Sequence, residues 1–194
     1  ADALMGLIQS YQPAAAVVFC QTKAAVHDLV VTLNERGVDA AGLHGDLEQR
    51  ERDQVLLLFK QMSLRLLVAT DVAARGLDID SLPLVVNFDL PADPEVYVHR
   101  IGRTGRAGRE GKAILFITPK ETRLLRSIEK STRQTITPLT MPSNEQVSDQ
   151  RIMQFTNQLV KTLETPRLDK FRDLITKFAA ENELDMADIA AALT

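Results

Sequence analysis

The sequence predicts an α/β fold, a doubly wound parallel sheet followed by a small all-helical module. Three observations carry that prediction. Over about 130 residues, short apolar runs alternate with segments whose apolar residues recur at helical spacing, the pattern of strand–helix–strand units with right-handed crossovers. The runs are apolar along most of their length, as in strands covered on both faces. Past Thr137 the pattern breaks at Pro138, Pro142, Ser143 and Asn144, and only helical periodicity follows.

Taken in order, residues 2–11 read as the end of a helix, on a chain that starts without methionine, which predicts a piece of something longer. After Pro13, residues 14–21 (Ala-Ala-Ala-Val-Val-Phe-Cys-Gln) form the first strand. Thr22 caps a helix through Arg36, built on Val26, Leu29, Val30 and Leu33 and ended by Gly37. Residues 38–43 make the second strand, and 47–60 a second helix carrying Val55, Leu58 and Phe59. The third and fourth strands are 65–70 and 84–88. Pro94 suits the first turn of a helix running to about residue 102. Residues 113–117 are the fifth strand and 120–130 a further helix.

Beyond the linker, Ser148 and Asp149 can cap a helix bearing Ile152, Phe155, Leu159, Val160 and Leu163, closed by Thr165-Pro166. A second helix has Leu168, Phe171, Leu174, Ile175 and Phe178, and Asp185 caps a third with Met186, Ile189, Ala190 and Leu193. Three short amphipathic helices are too few for a self-sufficient core, so they pack on the sheet domain or on a second copy. The expected organisation is a sheet domain at 1–137, a linker at 138–147 and a helical module at 148–194.

At 194 residues, 45% hydrophobic and 25% charged, the chain is ordinary globular material, which excludes disordered and fibrous classes. No apolar run approaches the roughly 20 residues of a membrane span, and no signal-peptide pattern opens the chain. The single cysteine, Cys20, lies inside an apolar run, excludes an internal disulfide framework and fits a reducing, cytoplasmic setting. The net charge of −3 comes from residues 145–194, with 6 Lys/Arg against 9 Asp/Glu; the first 144 residues hold 17 of each. Their basic residues cluster in a few loops.

In doubly wound sheets, ligands bind outside the carboxyl ends of the strands. Polar clusters follow those ends here: Gln21-Thr22-Lys23, His44-Gly45-Asp46 and Thr70-Asp71. The most unusual stretch is 99–109, His-Arg-Ile-Gly-Arg-Thr-Gly-Arg-Ala-Gly-Arg, with arginines at 100, 103, 106 and 109 and glycines at 102, 105 and 108. Arginine offers a planar fork of donors suited to phosphate oxygens. Each glycine would cost a solvated helix about 1 kcal/mol, which argues against a decorative basic face. An arginine-finger segment for a nucleoside triphosphate is the favoured reading. A flexible basic loop on a nucleic-acid backbone is the alternative.

Four ordered motifs carry a family resemblance: Val-Val-Phe-Cys-Gln-Thr (17–22), Leu-His-Gly-Asp-Leu-Glu-Gln-Arg-Glu-Arg (43–52), Ala-Thr-Asp-Val-Ala-Ala-Arg-Gly-Leu-Asp-Ile (69–79) and Tyr-Val-His-Arg-Ile-Gly-Arg-Thr-Gly-Arg (97–106). Together they resemble the C-terminal RecA-like domain of DEAD-box RNA helicases over residues 14–130. The resemblance implies that Arg103 and Arg106 are catalytic arginine fingers. It implies that Gly76 and Asp78 meet the nucleotide's ribose, and that Arg75, His99 and Arg100 are interdomain residues. RNA contacts are implied for Thr22, Lys23, Gly45, Gln49, Arg52, Thr70, Asp71 and Val72. Other readings stay open at single positions: Asp78 as a strand-end cap, Arg75 in a surface salt bridge, Thr22 only capping, and Arg52 pairing with Glu48. No metal ligand set is expected here, and Arg109 reads as a solvated surface residue.

No Gly-x-x-x-x-Gly-Lys-Ser/Thr loop and no Asp-Glu-Ala-Asp box occurs in the sequence. The phosphate cradle and the magnesium ligands for ATP are therefore expected on an N-terminal RecA-like domain, leaving this chain inactive alone. The last helices resemble the dimerisation segment of bacterial cold-shock DEAD-box helicases, which implies a homodimer through 148–194. Competing readings are a DNA-directed helicase of the wider superfamily and a non-catalytic scaffold.

Overall fold

The computed structural model describes the chain apart from residues 75–78, 80, 107, 141–143, 165–167 and 193–194, and apart from the side chains of 144–151, 154, 169 and 170. Five strands, β1 (Ala16–Cys20), β2 (Ala40–Leu43), β3 (Leu66–Thr70), β4 (Leu84–Asn87) and β5 (Lys112–Leu115), form one sheet. Every pairing is parallel, in the order β2-β3-β1-β4-β5. Ahead of β1 lies α1 (Asp2–Tyr11); between the strands run α2 (Lys23–Glu35), α3 (Gln49–Lys60), α4 (Asp71–Ala74) and α5 (Pro94–Ile101), with α6 (Thr122–Thr132) after β5. The RecA-like doubly wound sheet that the resemblance implies is the observed fold.

Side chains alternate across the sheet, and each face has its own core. Ala16, Val18, Leu66, Val68, Leu84 and Val86 pack under Leu4, Leu7 and Ile8 of α1 and Val26, Leu29 and Leu33 of α2. Val17, Phe19, Leu67, Ala69 and Val85 face Phe59 of α3 and Ala73 and Ala74 of α4. A smaller cluster of Leu90, Tyr97 and Ile128 holds α5 against α6.

Local chemistry sets the ends of α2. The Thr22 hydroxyl accepts the Ala25 amide at 3.1 Å. At the other end Gly37 takes φ 76°, and the Gly37 and Val38 amides reach the Asn34 and Leu33 carbonyls, both at 3.0 Å. This is the left-handed helix terminus that a residue without Cβ adopts readily. The Asn34 side chain then bonds Ala40 through both its atoms, at 2.9 and 3.1 Å, which fixes where β2 begins.

The first strand is shorter than the apolar run, because its register with β3 and β4 offers rungs only from Ala16 to Cys20. Two short elements carry no periodicity of their own: α4, and a 3-10 turn at Pro119–Glu121 ahead of α6.

The chain separates into two compact units, Ala1–Pro142 and Ser143–Thr194. The second contains α7 (Asn144–Leu163), α8 (Asp169–Glu181) and α9 (Met186–Ala192). The first of these starts at Asn144, one turn ahead of the expected Ser148 cap, where Glu145 and Gln146 are good helix formers. The Thr165-Pro166 stop and Leu193 lie outside the described residues. Ala179 of α8 is buried, whereas Phe155, Leu159, Phe171 and Leu174 are exposed on this chain. No described helix is long and apolar enough to cross a membrane.

Candidate functional site

Pro94 at the first turn and the Asp93 side chain, which accepts the Glu95 amide at 2.8 Å, start α5. Its last turn puts Arg100 against the sheet, 2% exposed. A guanidinium taken out of water must be paired. Its Nε and Nη2 donate to the two carboxylate oxygens of Asp71 at 2.6 and 2.7 Å. Its Nη1 donates to Asn87 Oδ1 at 3.1 Å and to the Asp89 carbonyl at 2.8 Å. The guanidinium carbon lies 5.2 Å from the centre of the Phe19 ring, within cation–π range. The Asn87 Nδ2, also buried, finds no hydrogen-bond partner.

Around this group the loops after β1 and β4 are tied together. The Gln21 amide donates to Asp89 Oδ2 at 3.0 Å and its side chain to the Leu90 carbonyl at 2.6 Å. Cys20 ends β1 beside them, and burial pushes its thiol up to about 12; the Asp89 charge acts in the same direction and Arg100 against it.

A cleft of about 300 Å³ opens between α4 and α5, lined by Phe19, Asp71, Ala74, Val96, His99, Arg100 and Arg103. The turn that follows α5 is held by its main chain. The Arg103 and Thr104 amides close on the Arg100 and Ile101 carbonyls at 3.2 and 3.0 Å, and the Leu82 amide donates to the Arg103 carbonyl at 2.9 Å. The Thr104 hydroxyl donates to the Leu82 carbonyl. Gly105 and Gly108 turn at φ 67° and 73°. Gly111 lies so close that any Cβ there would land on the Thr104 hydroxyl and the Gly105 amide.

Arg103 is half-buried in the cleft, and Arg106 and Arg109 are exposed. The turn is not at the carboxyl ends of the strands, where the polar clusters after β1, β2 and β3 gather. As the crossover between two parallel strands, α5 runs back along the sheet. It delivers residues 103–104 beside Leu82, ahead of β4.

The residues expected on RNA flank the other end of the sheet. Lys23, after β1, pairs at 2.5 Å with Asp46, after β2, and this partner holds the Asp46 carboxyl below its ordinary range. A Cβ on Gly45 would meet open space. Gln49 donates to Asp53 at 2.8 Å. Arg52 reaches the Ala73 carbonyl at 2.6 Å rather than turning back on Glu48, tying α3 to α4. Thr70 is buried beside Cys20 at the end of β3, and Val72 stands 71% exposed. Asp71 spends both oxygens on Arg100. His99 lines the cleft. Arg75, Gly76 and Asp78 lie outside the described residues.

The sequence assigned no role to Asn87, Asp89 and Phe19, and gave Gln21 only a place in the polar cluster after β1. The available signal was Asn87, a polar residue in the otherwise apolar run Leu-Val-Val-Asn-Phe, since a buried amide needs a partner. Among the described residues no group of three or more His, Cys, Asp or Glu could hold a metal ion.

Comparison with known proteins agrees with this architecture. Residues 1–108 match the helicase conserved C-terminal domain, and residues 142–194 match the RNA helicase DeaD dimerization domain. The ATP-dependent RNA helicase DeaD of Mycobacterium tuberculosis H37Rv is 44% identical over 192 residues, 99% of this chain and 34% of that protein. The DEAD-box ATP-dependent RNA helicase CshA of Bacillus cereus ATCC 10987 is 43% identical over 182 residues, 94% of this chain and 35% of that one. The chain thus spans about a third of the length of these relatives. A DEAD box protein from Methanococcus jannaschii superposes with a TM-score of 0.65 at 42% identity, over 72% of this chain and 39% of that one. Escherichia coli SrmB, solved bound to the regulator of ribonuclease activity A, gives 0.65 at 34%, over 75% of this chain and 84% of that one. With the sheet, the arginine turn and both family matches in agreement, the chain belongs to the helicase conserved C-terminal domain family, on its DEAD-box branch.

Proposed function

We propose that this chain is the second motor domain of an ATP-dependent RNA helicase, closing on a nucleotide held by a RecA-like domain outside it. The observation that carries this reading is Arg103: it lines the cleft from a turn whose main chain is pinned to Leu82. The donor set fits the ligand, because a guanidinium fork suits phosphate oxygens and Arg103 brings one to the cleft, whereas the Arg100 fork is spent on Asp71, Asn87 and Asp89. ATP, bound with magnesium on the facing domain, supplies the phosphoryl group whose transfer to water drives the cycle.

Arg103 and Arg106 act on the charge that spreads over that group, as fixed cations needing no reorganisation when the reaction occurs. By the resemblance, Gly76 and Asp78 hold the ribose, and Arg75 and His99 meet the facing domain. Thr22, Lys23, Gly45, Gln49, Arg52, Thr70 and Val72, with the Asp71 backbone, form a surface for the sugar-phosphate chain. Such contacts position a strand without reading its bases, so little sequence preference follows. Clamping one strand between two domains bends it and opens a duplex locally. The apolar residues exposed on α7 and α8, together with the dimerization-domain match, support self-association through the second unit.

The test is ATP hydrolysis by the whole helicase that carries this chain, with and without RNA. Arg106→Ala should lower RNA-stimulated kcat by about 10³- to 10⁵-fold. Intact hydrolysis would remove the finger assignment. Equal stimulation by single-stranded DNA would favour a DNA-directed helicase, and no hydrolysis by the unsubstituted protein would favour a scaffold.

A further inference from the structure

Resting on that reading, we infer that the buried Arg100–Asp71 pair is the joint through which RNA engagement sets the position of the arginine turn. Asp71 opens α4. Its neighbour Val72 stands exposed on the proposed RNA surface, and the Ala73 carbonyl two residues on holds Arg52 at 2.6 Å. Arg100 lies at the other end of the pair, three residues before Arg103, whose amide closes on the Arg100 carbonyl at 3.2 Å. One run of bonded contacts therefore joins Arg52, α4, Asp71, Arg100 and the turn.

The geometry makes this a stiff connection. Two parallel N–H···O bonds fix both distance and rotation, whereas a single bond would leave a hinge. Arg100 is 2% exposed, so Asp71 cannot withdraw without leaving an unpaired cation away from water. A shift of α4 under a bound strand is then passed to α5 rather than absorbed by rotamers. Asn87, whose Oδ1 accepts from Arg100, is held in the same network with its Nδ2 unpartnered. Asp71 and Arg100 are positioning residues in this scheme, acting through α4 and Arg103.

Binding linkage tests the joint without relying on hydrolysis. In the whole helicase, the affinity for a fluorescent RNA strand is measured with and without a saturating non-hydrolysable ATP analogue, and the reverse. The two factors must be equal, and for the unsubstituted protein about 5- to 150-fold is expected. Asp71→Asn should bring the factor close to one, and Asp71→Glu, which keeps a carboxylate, should restore most of it. If Asp71→Asn only weakens both ligands in parallel with the factor unchanged, the pair is structural and the inference falls. Should Asp71→Asn fail to fold, Asn87→Ser decides by the same criterion: a reduced factor supports the joint and an unchanged one overturns it. Absence of linkage in the unsubstituted protein would overturn the functional reading itself, and the inference with it.

Discussion

Four arginines at equal spacing look equivalent in the sequence, yet they end in different environments. Arg100 is buried, Arg103 is half-buried, and Arg106 and Arg109 are exposed. The spacing of three follows a helix only as far as Ile101, after which Gly102 and Gly105 turn the chain. The motif showed that the stretch was special but could not rank its members, because burial of Arg100 depends on Asp71, Asn87 and Asp89, 11 to 29 residues away. Cys20, placed by the sequence inside an apolar run, is free and buried, an environment its immediate neighbours were enough to indicate. Its titration gives a test. In the unfolded chain the thiol ionises near 9.0, whereas in the fold it is held neutral up to about 12. Below pH 9 it contributes nothing to the pH dependence, and between those values stability falls as pH rises, by at most about 1.4 kcal/mol per pH unit. Urea midpoints at pH 8 and pH 10 should therefore separate more for the natural sequence than for Cys20→Ala. An identical separation would mean that the thiol is not held neutral.

At the level of elements, the sequence was most legible where periodicity was long. Five strands and the helices between them were found from apolar spacing, and Gly37 marked the end of α2. The four-residue α4 was not, because a single turn has no period; it forms where Asp71 and the Ala73 carbonyl are held from outside by Arg100 and Arg52. The start of α7 was missed because helix propensity extends one turn beyond the apolar stripe. Gly37 supplies the prediction at this scale. A Cβ there meets nothing within 4 Å, so the cost of Gly37→Ala is backbone strain at φ 76° alone. About 1 kcal/mol is expected, or a Tm lower by roughly 2–4 °C for a domain of this size. A scanning calorimetry trace with unchanged Tm would contradict this account of the helix end.

For the molecule as a whole, pattern brought His99, Arg100 and Arg103 to one cleft, but the facing half of the proposed site has no motif in this sequence to read. The helical unit poses a similar question. Ile152, Phe155, Leu159 and Leu163 recur every three or four residues on α7, and each is more than 40% exposed. An apolar stripe of that length is normally covered. Light scattering should give twice the chain mass at high micromolar concentration, and Phe155→Asp with Leu159→Asp should return the mass of one chain. A single-chain mass before substitution would leave the stripe without the proposed occupant. Gly111 bears on the distribution of function across the molecule. With no atom to spare between residue 111 and Thr104, the lead-in to β5 serves as a ruler for the turn that carries the proposed arginine fingers, and the smallest added methyl would reset it. If that proposal holds, the placement of the fingers is hostage to a position outside the cleft, at the start of the edge strand.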